Sequence, residues 1–194
     1  MDFLALLWIG VGAFAATNID DLFILMLFFS DKSFPNRSVV IGQYLGIGIL
    51  IAISAVGSLL PLVISPFFIP LLGFVPIAIG IQRLLKLRKP EELPKHQPEN
   101  IRRSNLSIIS VASVTFANGG DNIGIYTPLF AKYSGILEVT GLVSIFLIMT
   151  AVWVLAAYYL VSHPAVADRL HKRGQIIFPF VLIVIGIYIL LGGL

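Results

Sequence analysis

The sequence predicts an all-α membrane protein with six transmembrane helices, arranged as two inverted three-helix repeats with both termini outside. Three observations predict this fold class. Of the 194 residues, 58% are hydrophobic and only 12% are charged, whereas about a quarter of the residues of a soluble protein are charged. Six apolar segments approach or exceed the length of about 20 residues with which a helix crosses a bilayer. Two of these segments carry the same polar motif, Asn-x-x-Asp, near their centres.

Short turns and one long hydrophilic loop separate the six segments. The predicted spans are residues 3–29, 38–60, 66–85, 106–131, 136–161 and 175–194. Proline, glycine or charged residues mark the short turns, which are residues 31–37, 61–66, 132–135 and 162–174. The long loop divides the chain into a first three-helix repeat at 1–85, a cytoplasmic linker at 86–105 and a second repeat at 106–194.

The first span has some features of a secretory signal, with an apolar core and the sequence Ala-Phe-Ala-Ala at 13–16. However, Asp2 stands where a signal peptide carries positive charge, and the apolar run resumes at residues 22–29. We therefore expect a retained span.

The positive residues fall on one side of the predicted membrane. With the long loop in the cytoplasm, 12 of the 13 Lys and Arg residues are inside and only Lys132 is outside. An excess of Lys and Arg in the cytoplasmic loops is the usual determinant of membrane orientation. Both chain ends then face outward.

The third and sixth spans also resemble each other. Residues 74–81 align with residues 180–187, and six of the eight positions are identical. Together with the shared polar motif, this match indicates a duplicated three-helix unit. An odd number of spans in each unit inverts the second copy, a plan that recurs in secondary transporters with the substrate site between the repeats near the midplane.

The two polar motifs lie at Thr17–Asp21 in the first span and at Asn118–Asn122 in the fourth. One charged residue at the centre of a membrane helix costs roughly 2.5–3.5 kcal/mol, so these carboxylates are expected to face the protein interior, pair or bind a ligand. The candidate ligands are Thr17, Asn18, Asp20, Asp21, Thr115, Asn118, Asp121 and Asn122. All offer oxygen, which suits hard or borderline divalent cations. The chain has no cysteine, which excludes a thiolate site.

Some of these residues have a second interpretation. Packing is an equally good explanation for Thr17, Thr115 and Asn122 when each is taken singly. Packing and a role in lining the site are equally open for Gln43, which lies in a glycine-flanked part of the second span. The aromatic residues, Trp153 among them, are interpreted as interface anchors or core. No cofactor and no nucleic-acid partner are expected, and a homo-oligomer is left open.

The backbone around the motifs carries its own signals. Asp20 and Asp21 are about 100° apart on a regular helix, so one site takes both only if the helix unwinds locally or lies at the flank of the site. Gly119 and Gly120 favour such unwinding in the fourth span. Desolvation and a neighbouring carboxylate favour the protonated form of a buried acid, which predicts competition between protons and metal. The aligned motifs match Asp21 with Asp121, which leaves Asp20 as the first candidate for the proton.

Three segments closely resemble the CadD cadmium-resistance transporters of the LysE superfamily. They are residues 17–22, 42–46 and 115–123, and the resemblance covers essentially the whole chain in length, span count and motif order. It implies a bacterial inner-membrane exporter of divalent metal, nominally Cd²⁺, driven by an ion gradient. Because the site is built from oxygen alone, Mn²⁺ or Zn²⁺ is an equally reasonable physiological ion.

Two other functions compete with metal export. Export of organic solutes, such as quaternary ammonium or basic amino acids, would require an aromatic cage or a counter-charge for a substrate carboxylate. No Lys or Arg lies at mid-depth, which counts against a zwitterionic amino acid. An intramembrane aspartyl protease also needs two membrane aspartates, and residues 119–121 superficially fit one of its motifs. The many amide ligands favour binding over hydrolysis, so we do not expect an enzyme.

Overall fold

The computed structural model describes residues 3–31, 33–59, 73–86 and 104–191, and this part of the chain contains helices and short turns only. The helices are α1 (Phe3–Ser30), α2 (Asn36–Gly57), α3 (Phe74–Lys86), α4 (Ser104–Asn118), α5 (Gly120–Lys132), α6 (Ile136–Leu160) and α7 (Pro164–Leu190). The predicted all-α class is confirmed for these ranges. Residues 66–72 of the predicted third span and residues 87–103 of the predicted linker lie outside them.

Within the described ranges, three helices, α1, α2 and α6, are long and apolar enough to cross a membrane by length and composition. Shorter apolar helical stretches occur at Ser107–Asn118 and Pro179–Leu190. These helices are consistent with the predicted membrane protein. The count of six spans stays a prediction.

The predicted fourth span is two helices rather than one. Gly119 interrupts the helix with φ −85° and ψ 23°, and its N–H donates to Phe116 O over 3.1 Å instead of continuing the α-helical pattern. A Cβ at residue 119 would overlap the side chain of Leu50 on α2. The break therefore occurs where a glycine leaves room for the Leu50 side chain against the backbone.

The turn predicted at residues 162–174 is wrong in length. The connection after α6 is only three residues long, since α7 starts at Pro164 and continues without interruption to Leu190. A proline at the first turn of a helix is preorganised for helical φ and loses no hydrogen bond there. The Lys and Arg residues that follow have good helix propensity, so polarity alone was a poor signal of a loop.

Most of the packing joins the first half of the chain to the second. In the described part of the structure, α1 packs mainly on α6 and α7, α2 on α4 and α5, and α3 on α7. The largest buried side chains at these contacts include Phe14, Tyr126, Phe130 and Phe146. Both halves of the chain therefore contribute side chains to the apolar core.

The contact between α3 and α7 is reciprocal. A Cβ on Gly80 would lie 2.8 Å from Ile183 Cγ1, and a Cβ on Gly186 would lie 2.5 Å from Ile77 Cγ1. In the alignment of residues 74–81 with 180–187, Gly80 corresponds to Gly186 and Ile77 to Ile183. Each helix therefore presents the same residues to the other, which is the geometry of a two-fold contact.

Candidate functional site

The polar motifs of the two halves meet between α1, α2, α4 and α5. Five of the eight predicted site residues are buried: Thr17, Asn18, Asp21, Thr115 and Asn122. The other three, Asp20, Asn118 and Asp121, are partly exposed. Hydrogen bonds arrange the side chains into two adjoining networks.

The first network surrounds the carboxylate of Asp21 and is called the carboxylate network. Asp21 Oδ1 accepts a hydrogen bond of 2.7 Å from Asn118 Nδ2. Asp21 Oδ2 accepts one of 3.1 Å from Gln43 Nε2. Gln43 Oε1 in turn accepts a hydrogen bond of 2.6 Å from Thr115 Oγ1. Residues of α1, α2 and α4 therefore converge on one carboxylate.

The second network is centred on Tyr126 and is called the hydroxyl network. Asn18 Nδ2 donates to the Tyr126 hydroxyl over 2.9 Å and Asn122 Nδ2 donates to it over 3.2 Å. Asn122 Nδ2 also donates to Asn18 Oδ1 over 3.0 Å. Thr17 Oγ1 lies 3.4 Å from the same hydroxyl and donates to Ala13 O. The Tyr126 hydroxyl therefore contacts three polar side chains of the site.

The two networks are one helical turn apart on α1, because Asn18 and Asp21 have the i, i+3 spacing of one helix face. Asn18 pairs with Asn122, while Asp21 pairs with Asn118. The partner numbers fall as the α1 numbers rise, so the two motifs run antiparallel through the site.

The hydrogen bonds that define the two networks connect six of the predicted site residues with Gln43 and Tyr126. Asp121 Oδ1 accepts a hydrogen bond of 3.0 Å from the backbone N–H of Asn122, and Asp20 and Asp121 both have interactions of their own. Among the described residues, no three His, Cys, Asp or Glu side chains are grouped as a ready metal site. A ligand set of all eight predicted residues therefore stays a prediction.

Asp21 is buried and negatively charged when ionised, yet its side-chain hydrogen bonds in the described part of the chain come from two neutral amides. Amides satisfy the oxygen lone pairs without compensating the charge. A buried charge without an opposite partner is costly. The arrangement therefore leaves the negative charge of Asp21 available to a cation.

Three residues of the site were not predicted as such. Tyr126 lies four residues after Asn122, so its helix face was a usable signal. Gln43 lies next to Gly42 in the second span, and its site role was one of two open interpretations. Trp153 Nε1 donates to the backbone oxygen of Asn18 over 2.6 Å. No pattern in the sequence indicated that contact.

The model of the cadmium resistance transporter family matches residues 14–193, which is nearly the whole chain and includes both polar motifs. No curated protein and no solved structure matches this chain.

Proposed function

The chain belongs to the cadmium resistance transporter family, and we propose that it is a secondary transporter that exports divalent metal cations through the site around Asp21. Family membership confirms the resemblance predicted from the motifs. It also supports the transport hypotheses over the protease hypothesis.

The observation that carries the proposal is the uncompensated carboxylate of Asp21. Its two oxygens are held by amides from α2 and from the second half of the chain. Since a charged residue at the membrane centre costs roughly 2.5–3.5 kcal/mol, an ionised Asp21 is best explained by a bound cation during transport. Proton binding would neutralise the same carboxylate when the cation leaves.

The donor atoms support a divalent cation as the cargo. The Asp21 carboxylate is bonded to the amides of Gln43 and Asn118, and the Thr115 hydroxyl is bonded to Gln43. These side chains carry carboxylate, amide and hydroxyl oxygens, and the chain has no cysteine. Oxygen ligands suit Mn²⁺ and Zn²⁺ at least as well as they suit the softer Cd²⁺. We therefore include all three ions in the proposed substrate class.

The packing supports two inverted repeats as the transport machinery. In the proposed repeats, α1 corresponds to the α4–α5 pair and α2 corresponds to α6. A two-fold axis would then convert the contact of α1 with α6 into the contact of α2 with α4, and both contacts are present. The reciprocal contact of Gly80 and Gly186 agrees with such an axis. A site between inverted repeats is suited to alternating access, because the repeats can rock about it.

We propose protons as the coupling ion, because a proton and a metal cation cannot occupy the same carboxylate lone pair. In proteoliposomes that contain the purified protein, an imposed pH gradient is expected to drive metal flux against its own gradient. Metal flux that is indifferent to the pH gradient would reject proton exchange while leaving metal transport intact.

The site itself is tested by carboxylate-to-amide substitutions in the same proteoliposomes. Asp21→Asn removes the charge and keeps the size, so transport of Cd²⁺, Zn²⁺ and Mn²⁺ is expected to fall to background. Asp20→Asn and Asp121→Asn are measured alongside. Asp31→Asn is the matched control, because Asp31 lies in the exposed turn after α1, and wild-type flux is expected. Full transport by all three site variants would reject the assignment.

A further inference from the structure

Gln43 occupies a fixed position between the carboxylate of Asp21 and α4. Its side chain is 1% exposed, and its amide is bonded at both ends, to Asp21 through Nε2 and to Thr115 through Oε1. Reversing the amide would place its oxygen against a carboxylate oxygen. The donor end therefore stays on Asp21.

Two glycines hold Gln43 in this place. A Cβ on Gly42 would lie 2.7 Å from the backbone oxygen of Ile108, and a Cβ on Gly46 would lie 2.7 Å from Thr115 Cβ. The backbone of α2 thus touches α4 on both sides of Gln43, as glycines four residues apart allow. This close packing of α2 on α4 keeps the backbone of Gln43 next to the carboxylate network.

A neutral donor in a fixed position defines where a carboxylate oxygen points but does not alter the charge of the site. In metal sites, residues that hold the ligands tune the affinity and the choice of ion. We infer that Gln43 is a positioning residue that acts through Asp21 and sets which divalent cation the site prefers. This inference rests on the proposed function.

Two variants of nearly equal size separate the contributions of Gln43. Gln43→Glu replaces the amide donor with a second carboxylate beside Asp21, and more anionic oxygen raises cation affinity and favours Mn²⁺ over Cd²⁺. Gln43→Met removes both hydrogen bonds. It frees the orientation of the Asp21 carboxylate, so discrimination between ions is expected to weaken.

The experiment measures kcat and KM for Mn²⁺, Zn²⁺ and Cd²⁺ in proteoliposomes. For Gln43→Glu we expect a lower KM and a lower kcat, since the ion binds more tightly and leaves more slowly. The ratio of kcat/KM for Mn²⁺ to that for Cd²⁺ is expected to rise about tenfold. For Gln43→Met the same ratio is expected to move toward one. Ratios equal to the wild-type value in both variants would overturn the inference, because a purely structural role changes all ions by one common factor.

A matched control and a second measurement distinguish this failure from failure of the proposed function. Ser54→Ala removes another buried hydrogen bond from α2, the one that Ser54 donates to Leu50 O, and the ion ratio is expected to stay at the wild-type value. Ion-dependent thermal stabilisation of the detergent-solubilised proteins reports binding without transport. If wild type shows neither ion-dependent stabilisation nor flux, the proposed function is rejected and this inference with it. Stabilisation by the ions with an unchanged order of preference in both Gln43 variants rejects the inference alone.

Discussion

At the scale of single residues, Tyr126 links the polar site to the apolar core. Its hydroxyl accepts two amide hydrogen bonds, while its ring stacks on Phe146 with the ring centroids 4.1 Å apart. The same side chain therefore satisfies buried donors and fills the core between α5 and α6. Both the hydroxyl hydrogen bonds and the ring stacking are expected to contribute to the free energy of unfolding.

Tyr126→Phe separates the two roles, because it keeps the stacked ring and removes the acceptor. Asn18 and Asn122 would then lose a buried partner, and the free energy of unfolding is expected to fall by about 1–3 kcal/mol. Denaturant titration of the protein in detergent micelles measures the loss. The matched control is Tyr44→Phe, since Tyr44 donates a single hydrogen bond to Leu147 O from a more exposed position. Equal losses in the two variants would contradict the role assigned to the hydroxyl network.

The candidate site residues that could be predicted from the sequence are those whose types are rare in membrane helices. Asn18, Asp21, Asn118 and Asn122 stood out because polar side chains in apolar segments are costly, and the structure brings them together in pairs. Tyr126 did not stand out, because aromatic residues are common in such segments. The hydrogen-bond partners of its hydroxyl could not be predicted from the sequence. Which amide faces which carboxylate also depends on helix packing, which a single sequence does not contain.

At the scale of helices, the break between α4 and α5 contains two adjacent glycines, Gly119 and Gly120, whose surroundings differ. A Cβ at Gly119 would overlap the buried Leu50 side chain, whereas a Cβ at Gly120 meets nothing within 4 Å. Only the first glycine is therefore required by packing. The second offers backbone freedom beside Asp121.

Gly119→Ala is expected to destabilise the protein by about 1–3 kcal/mol, because the added Cβ overlaps the fully buried Leu50 side chain and forces it to shift. Gly120→Ala is the neighbouring control. It is expected to be neutral or to stabilise by about 0.4–1 kcal/mol, since alanine restricts the unfolded chain. Thermal unfolding of both variants in one detergent checks the contrast. A more harmful substitution at residue 120 than at 119 would disprove the assignment of the close contact.

The helices that sequence reasoning located well are those with long apolar runs. The predicted first, second and fifth spans agree with α1, α2 and α6 within a few residues, because continuous hydrophobicity marks a buried or membrane-facing helix. The start of α7 was missed, since charged residues that form helices look like a loop. The break at Gly119 was anticipated as a tendency to unwind, but its restriction to one residue is a matter of tertiary contact with Leu50.

At the scale of the whole molecule, the two halves complete each other. Within the described ranges, the main partners of α1, α2 and α3 lie in the second half of the chain. Both site networks also take side chains from each half. A half of the chain expressed alone would expose its apolar faces and leave Asp21 without Asn118.

This interdependence predicts the behaviour of a divided protein. A cut between residues 95 and 96 leaves every described helix intact. Membranes that contain both fragments are expected to transport metal, whereas membranes with either fragment alone are expected to show none. Copurification of one tagged fragment with the other measures the assembly directly. Transport by a single fragment would contradict a site shared between the halves.

The distance along the chain between Asp21 and Asn118 has a consequence for synthesis. The two hydrogen-bonded residues are 97 positions apart, so Asp21 enters the membrane well before its partner has been translated. At about 5–20 residues per second, the interval is roughly 5–20 s. During that time the nascent first half has Gln43 as the partner of its carboxylate within its own sequence. We therefore expect Gln43 to hydrogen-bond Asp21 during synthesis, before Asn118 has been translated.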